Sequence, residues 1–184
     1  MIVKPLIPTP VRPNHLTAVR LACGLAAAAA FAVGESPWVH AGAALFVVSM
    51  LLDRADGDLA RLTGRTSRGG HLFDLVADAT SNALAFVGIG VGLMGSGLGM
   101  WAPVLGVAAG VGIAVVLVAV LGIQAREGTG AAGSPTAAGF DADDAMLAVP
   151  VAVWLGWREE LLVAAAIGAP AFALLFLVLH LRRR

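Results

Sequence analysis

The sequence predicts an all-α integral membrane protein, a bundle of six transmembrane helices with both termini in the cytoplasm. Three observations carry that expectation. Hydrophobic residues make up 59% of the chain and charged residues 13%, whereas soluble domains are about 45–50% apolar and about 25% charged. Apolar runs approaching the roughly 20 residues that cross a bilayer recur along the chain. The Lys and Arg residues gather on alternate connections, as they do when one side of a membrane protein faces the cytoplasm. With 184 residues, the chain reads as one domain, residues 1–184, with the lipid bilayer as its solvent.

The six spans fall at about 16–34, 38–60, 71–95, 101–124, 143–157 and 160–181. Residues 16–33 with their basic flank fit loosely the pattern of a signal peptide. The Pro-rich stretch before them and the spans after them favour a retained first helix. The clean apolar part of the second span, 41–52, is too short to cross and ends at Asp53, and the fifth span is short as well. Both are completed if their polar ends face protein or water instead of lipid. The Gly/Pro/Ser-rich segment 127–140 reads as a flexible loop. Gly88, Gly92, Gly95 and Gly99 are spaced for close helix packing, within or between subunits. Cys23 is the sole cysteine, so no intramolecular disulfide forms, and it is expected to pack in its apolar run.

Orientation follows from the basic residues. Lys4, Arg12, Arg20, Arg54, Arg61, Arg65, Arg68, Arg126 and Arg182 to Arg184 fall on one side, and Arg158 falls on the other. The first side is the cytoplasmic one. Trp38, Trp101, Trp154 and Trp157 then all lie at outer ends, where indoles favour the interface. A formal net charge of zero supplies no electrostatic case for a nucleic-acid partner.

The chemistry-bearing segment is 53–78, DRADGDLARLTGRTSRGGHLFDLVAD. Ionisable residues inside a span are costly and call for partners. Asp53 and Asp56 are three apart, and Asp74 and Asp78 are four apart, so each pair shares one helix face. The Gly/Arg-rich turn between them makes the two helices antiparallel neighbours, and the four carboxylates can converge. At that density they would repel one another unless cations intervene. Asp oxygens suit magnesium, manganese or calcium. Two such ions are a known device for phosphoryl transfer. Gly57, Ala60 and Gly70 leave room for a ligand against the backbone. Arg61 can pair with a phosphate, and Ser67 and Arg68 can donate to a nucleotide or phosphate. A salt-bridged helix end, with Asp53 on Arg54 and Asp58 on Arg61, is the bland alternative. It accounts for neither the small residues nor the spacing of the four acids. An intramembrane acid cluster also suits a divalent-cation transporter or channel. Here, though, the acids crowd one face and the outer halves of the spans carry almost no ionisable groups.

The residues Asp53, Asp56, Gly57, Ala60, Arg61, Gly70, Asp74 and Asp78 meet every spacing of the signature D-x2-D-G-x2-A-R-x8-G-x3-D-x3-D. The chain therefore resembles the CDP-alcohol phosphotransferases, and six spans with the signature at the end of the second resemble that family's layout. The resemblance implies that Asp53, Asp56, Asp74 and Asp78 hold two divalent ions, Mg2+ or alternatively Mn2+, with Asp78 also the general base. It implies that Gly57, Arg61 and Ser67 contact the CDP moiety of a CDP-linked lipid or small CDP-alcohol donor. Residues 12–17, R-P-N-H-L-T, resemble the family's T-P-N-x-x-T stretch in part, which brings Pro13 and Asn14 near the nucleotide. It also implies a homodimer and a multi-pass membrane location, the inner membrane in a bacterial cell, with the site facing the cytoplasm.

The acceptor is an alcohol. Members that take phosphorylated acceptors resemble one another in a basic cluster after the fourth helix. This chain has Gln124 and Arg126 there, and then Asp141, Asp143 and Asp144. An acidic patch repels a phosphate, so the expected acceptor lacks one: a polyol, an amino-alcohol or a lipid hydroxyl. The same acids can instead complement a helix dipole. His71, beside the acids in sequence, and His15 are further candidates for substrate contact.

Overall fold

The computed structural model describes residues 5, 7–127, 136, 137, 140, 141 and 145–182. Among them lie six helices: α1 (Pro13–Val33), α2 (Ser36–Thr63), α3 (Arg68–Gly92), α4 (Trp101–Glu127), α5 (Ala148–Trp154) and α6 (Arg158–Arg182). One two-residue antiparallel pairing, Thr136–Ala137 with Phe140–Asp141, falls in the segment read as a loop. Five helices, all but α5, are long and apolar enough to cross a membrane.

The fifth expected span is described only in part. Its helix α5 has 7 residues, about 10 Å at 1.5 Å per residue. It carries Pro150, whose ring cannot donate to the helix ladder. The second span runs past Asp53 without a break to Thr63, because its polar end packs on protein.

Punctuation sets the helix ends. Pro13 starts α1 where its missing N–H costs nothing. Gly34 ends it in the left-handed region at φ 78° and donates its N–H to the Phe31 carbonyl. Ser67 caps α3, accepting from the Gly70 N–H at 3.0 Å. Arg158, the basic residue expected on the opposite side, donates to the Gly34 carbonyl at 3.1 Å. The start of α6 and the end of α1 therefore share one face of the bundle.

α1 packs on α2 and α3, α3 on α4, α4 on α6, and α2 on α5. Ala27, Phe31, Ala43, Phe46, Ala85 and Ile89 form the centre of the core. Outside it, Val104, Val107, Val111, Val115 and Val118 are all exposed along α4. Their spacing of three and four traces one helix face, which in water would be a costly unpartnered stripe and in lipid is a solvated one.

Two of the four glycines singled out in the sequence bring helices together. Gly88 lies against the Ala28 backbone and Gly92 against the backbones of Phe31 and Gly34. Gly95 and Gly99 sit in the turns after α3, with no atom of the described residues within 4 Å of a Cβ placed there. At Gly88 a Cβ would meet the Ala28 carbonyl oxygen, with the Ala28 carbonyl carbon 3.0 Å away. Backbone cannot rotate aside. Gly88→Val is expected to destabilise the bundle by about 1–3 kcal/mol, read as a lower unfolding midpoint in detergent. Gly95→Val is expected to leave that midpoint in place.

Candidate metal and donor site

The site sits where α1, α2 and α3 meet. Asp53 and Asp56 come from α2 and Asp74 from α3, and one carboxylate oxygen of each lies within 4.8 Å of the others. Asp56 is buried, and its Oδ2 accepts from the Thr17 hydroxyl at 2.8 Å. Asp78, one turn beyond Asp74, stands beside this trio. Its Oδ1 accepts from the Asn82 amide at 3.2 Å and lies 3.9 Å from Arg20 Nη1.

Arg20 runs through the centre of the acids. It pairs with Asp53, and its Nη2 donates to the Asp74 main-chain carbonyl at 2.8 Å and lies 3.1 Å from Asp74 Oδ1. Its side chain is 2% exposed, against 34% for Asp53 and 40% for Asp74. Arg20, one of the basic residues assigned to the cytoplasmic side, is buried, because a charge deep in an apolar helix must find partners, and Thr17, Arg20 and Gly24 share one face of α1. Arg20 is not among the residues assigned to the site from the sequence; its position as an ionisable residue inside a span is the signal by which it could be found.

The trio fits a divalent cation. Among the described residues, the buried Asp74 Oδ1 accepts no hydrogen bond, and its contact is the ion pair with Arg20 Nη2. Three converging carboxylates are hard donors of the type such ions take.

The residues assigned to the donor line the same end. Asn14 and Ser67 meet at Gly70: a Cβ there would lie 2.9 Å from Asn14 Oδ1 and 3.0 Å from Ser67 Oγ. Gly57 faces Arg61, whose guanidinium would be 3.5 Å from a Cβ at 57. Arg61 is exposed and bound to Asp58 at 2.7 Å, the pair that the bland reading had named. An exposed pair of this kind contributes little to stability, so a phosphate can take Arg61 over. Pro13 and Ala60 are partly buried, and Arg68 is exposed.

The acceptor candidates separate. Gln124 Oε1 lies 3.2 Å from His71 Nε2, joining the start of α3 to the end of α4. His15 is taken up by capping, its Nδ1 accepting from the Arg12 N–H at 3.3 Å. Arg126 is exposed. Asp141 is described in its backbone alone, within the short strand pairing, and Asp143 and Asp144 lie outside the described residues.

A sequence model of the family described as CDP-alcohol phosphatidyltransferase matches residues 10–169, most of the chain. Among curated proteins, none matches the chain. The match extends well beyond the signature segment, from the start of α1 into α6. The chain belongs to the CDP-alcohol phosphatidyltransferase family, transferases of phospholipid biosynthesis that move a phospho-group from a CDP-linked alcohol.

Proposed function

We propose that the protein moves a phosphatidyl or other substituted phospho-group from a CDP-linked donor, CDP-diacylglycerol first among them, to an alcohol hydroxyl and releases CMP. The convergence of Asp53, Asp56 and Asp74 within 4.8 Å beside Asp78 is the observation that supports it. The reading includes six spans, with the fifth completed around α5, both termini and the site on the cytoplasmic side, and a homodimer.

Asp53, Asp56, Asp74 and Asp78 are the residues to hold two divalent ions, Mg2+ in first place. Such ions supply charge neutralisation at the phosphate oxygens. The remaining work belongs to the chain. Asn14, Ser67 and Gly70 shape the nucleotide end, with Pro13, Gly57, Ala60 and Arg68 around it. Arg61 leaves Asp58 for the donor's phosphate, where its planar fork matches two oxygens. Asp78 takes the proton of the acceptor hydroxyl. The alcohol oxygen forms a bond to the β-phosphorus, the anhydride bond to CMP breaks, and CMP departs with that electron pair. Asn82 donates to one oxygen of Asp78 and so orients the carboxylate. Thr17 and Arg20 hold Asp56, Asp53 and Asp74 in place for the ions.

The test is incubation of the purified chain with CDP-diacylglycerol, magnesium and a panel of alcohols. CMP release that requires both metal and alcohol is expected. Metal flux across vesicles without any CMP release would instead favour a divalent-cation transporter.

A further inference from the structure

The polar faces of three helices continue one turn deeper than the carboxylates. On α3, Ser81 and Asn82 follow Asp78 by three and four residues. On α2, Ser49 precedes Asp53 by four. On α1, Gly24 follows Arg20 by four. These spacings keep each set on one face, and Ser49, Ser81 and Asn82 line a single cavity with Asp78, to which Phe46, Met50 and Met146 give an apolar wall.

Ser81 is the telling residue. It is 3% exposed, and its Oγ has no hydrogen-bond partner among the described residues. A buried hydroxyl left unpaired is costly and rare, and a ligand that supplies the partner removes the cost. Ser49 already donates to the Arg20 carbonyl at 3.1 Å, which leaves its oxygen as an acceptor. The Asn82 amide carries an acceptor oxygen and a second N–H besides the one it gives Asp78. A side chain at Gly24 would strike Ser81, so glycine there lets α1 pack closely on the Ser81 turn of α3.

The charges on the cavity wall cancel. Arg20 and Arg54 stand against Asp53 and Asp78, so the lining offers no surplus of either sign to an ionic headgroup. Ser81 lies three residues from Asp78, about 4.5 Å along the helix axis, a length that a short polyol covers.

We propose that this cavity is the acceptor subsite and that it takes a small uncharged polyol. One hydroxyl meets Asp78, and another is bound by Ser81 between Ser49 and Asn82. The proposal rests on the transfer reading above and names its substrate class and a specificity-determining residue.

The experiment measures CMP release by the purified full-length chain with CDP-diacylglycerol and magnesium. The acceptors are glycerol, myo-inositol, 1-propanol, choline and glycerol 3-phosphate. Glycerol or myo-inositol is expected to exceed the other three in kcat/KM by at least about tenfold. A site built to bond a second hydroxyl rejects 1-propanol and choline, which lack one, and a lining without surplus positive charge leaves the phosphate of glycerol 3-phosphate unpaired. Ser81→Ala is expected to raise the polyol KM about tenfold, with the donor KM unchanged and the unfolding midpoint unchanged or higher, because the lost hydroxyl has no partner among the described residues. A purely structural serine would leave the polyol KM where it was. Preference for choline, 1-propanol or glycerol 3-phosphate overturns the proposal, as does an unaltered polyol KM in Ser81→Ala. No release with either polyol overturns the proposal alone, whereas CMP release that needs no alcohol overturns the transfer reading itself, and the proposal with it.

Discussion

Asp78→Asn is expected to lower CMP release by about 10²–10⁴-fold, the usual contribution of a positioned general base, while a CDP nucleotide still binds. Asparagine keeps the size of the side chain and its hydrogen bond to Asn82 but cannot take a proton from an alcohol. Asp78 is suited to that task by position. It borders the trio of Asp53, Asp56 and Asp74 without belonging to it, it is 44% exposed, and it lines the cavity that leads inward to Ser81. Single-turnover CMP release, paired with calorimetric titration of CDP, checks the prediction. Retained turnover removes Asp78 from the base role. Loss of nucleotide binding together with turnover would point to a role in holding the metals and donor.

Arg20→Met is expected to destabilise the metal-free protein by about 3–5 kcal/mol, the cost of removing one member of a buried charge network. Methionine fills much of the same space and removes the positive charge. Asp53 and Asp74 then lose their counter-ion, and the Asp74 carbonyl loses its donor. Millimolar magnesium is expected to restore much of the loss, because an ion bound to the native state alone stabilises it by mass action. Arg20→Lys is expected to recover only part, since one ammonium cannot reach both Asp53 and the Asp74 main chain with the geometry of a guanidinium. Unfolding midpoints in detergent, with and without magnesium, are the measurement. Equal midpoints for wild type and Arg20→Met in chelator would show that Arg20 does not neutralise the cluster.

Much of the fold was legible because the bilayer imposes a length and a polarity on each span. α1 to α4 and α6 begin and end within a few residues of the expected runs, since Pro13, Gly34, Ser67 and Gly64 act locally. The fifth span is less legible, because a short apolar run containing Pro150 has the same composition whether it crosses, breaks or packs sideways. The acid pairs were legible for a simple reason: spacing of three and four on a helix is a statement about a face. The three partners from α1 and the deeper turn of α3 were hidden. Thr17 lies 39 residues from Asp56, and Arg20 lies 54 from Asp74. Nothing local in α1 says which face will meet α2 and α3.

By itself the sequence determined that the chain is built from membrane-crossing helices and that two of them bring pairs of aspartates to one end. Hydrophobic length and helical period are properties of single segments, and they survive any arrangement of the bundle. The tertiary structure alone decided that Arg20 enters the acids, that Thr17 caps Asp56, and that Ser49, Ser81 and Gly24 meet at one depth. Those relations depend on how three helices rotate and slide against one another. The close approaches at Gly88 and Gly92 set the α1–α3 part of that fit, and only the packed bundle brings them together.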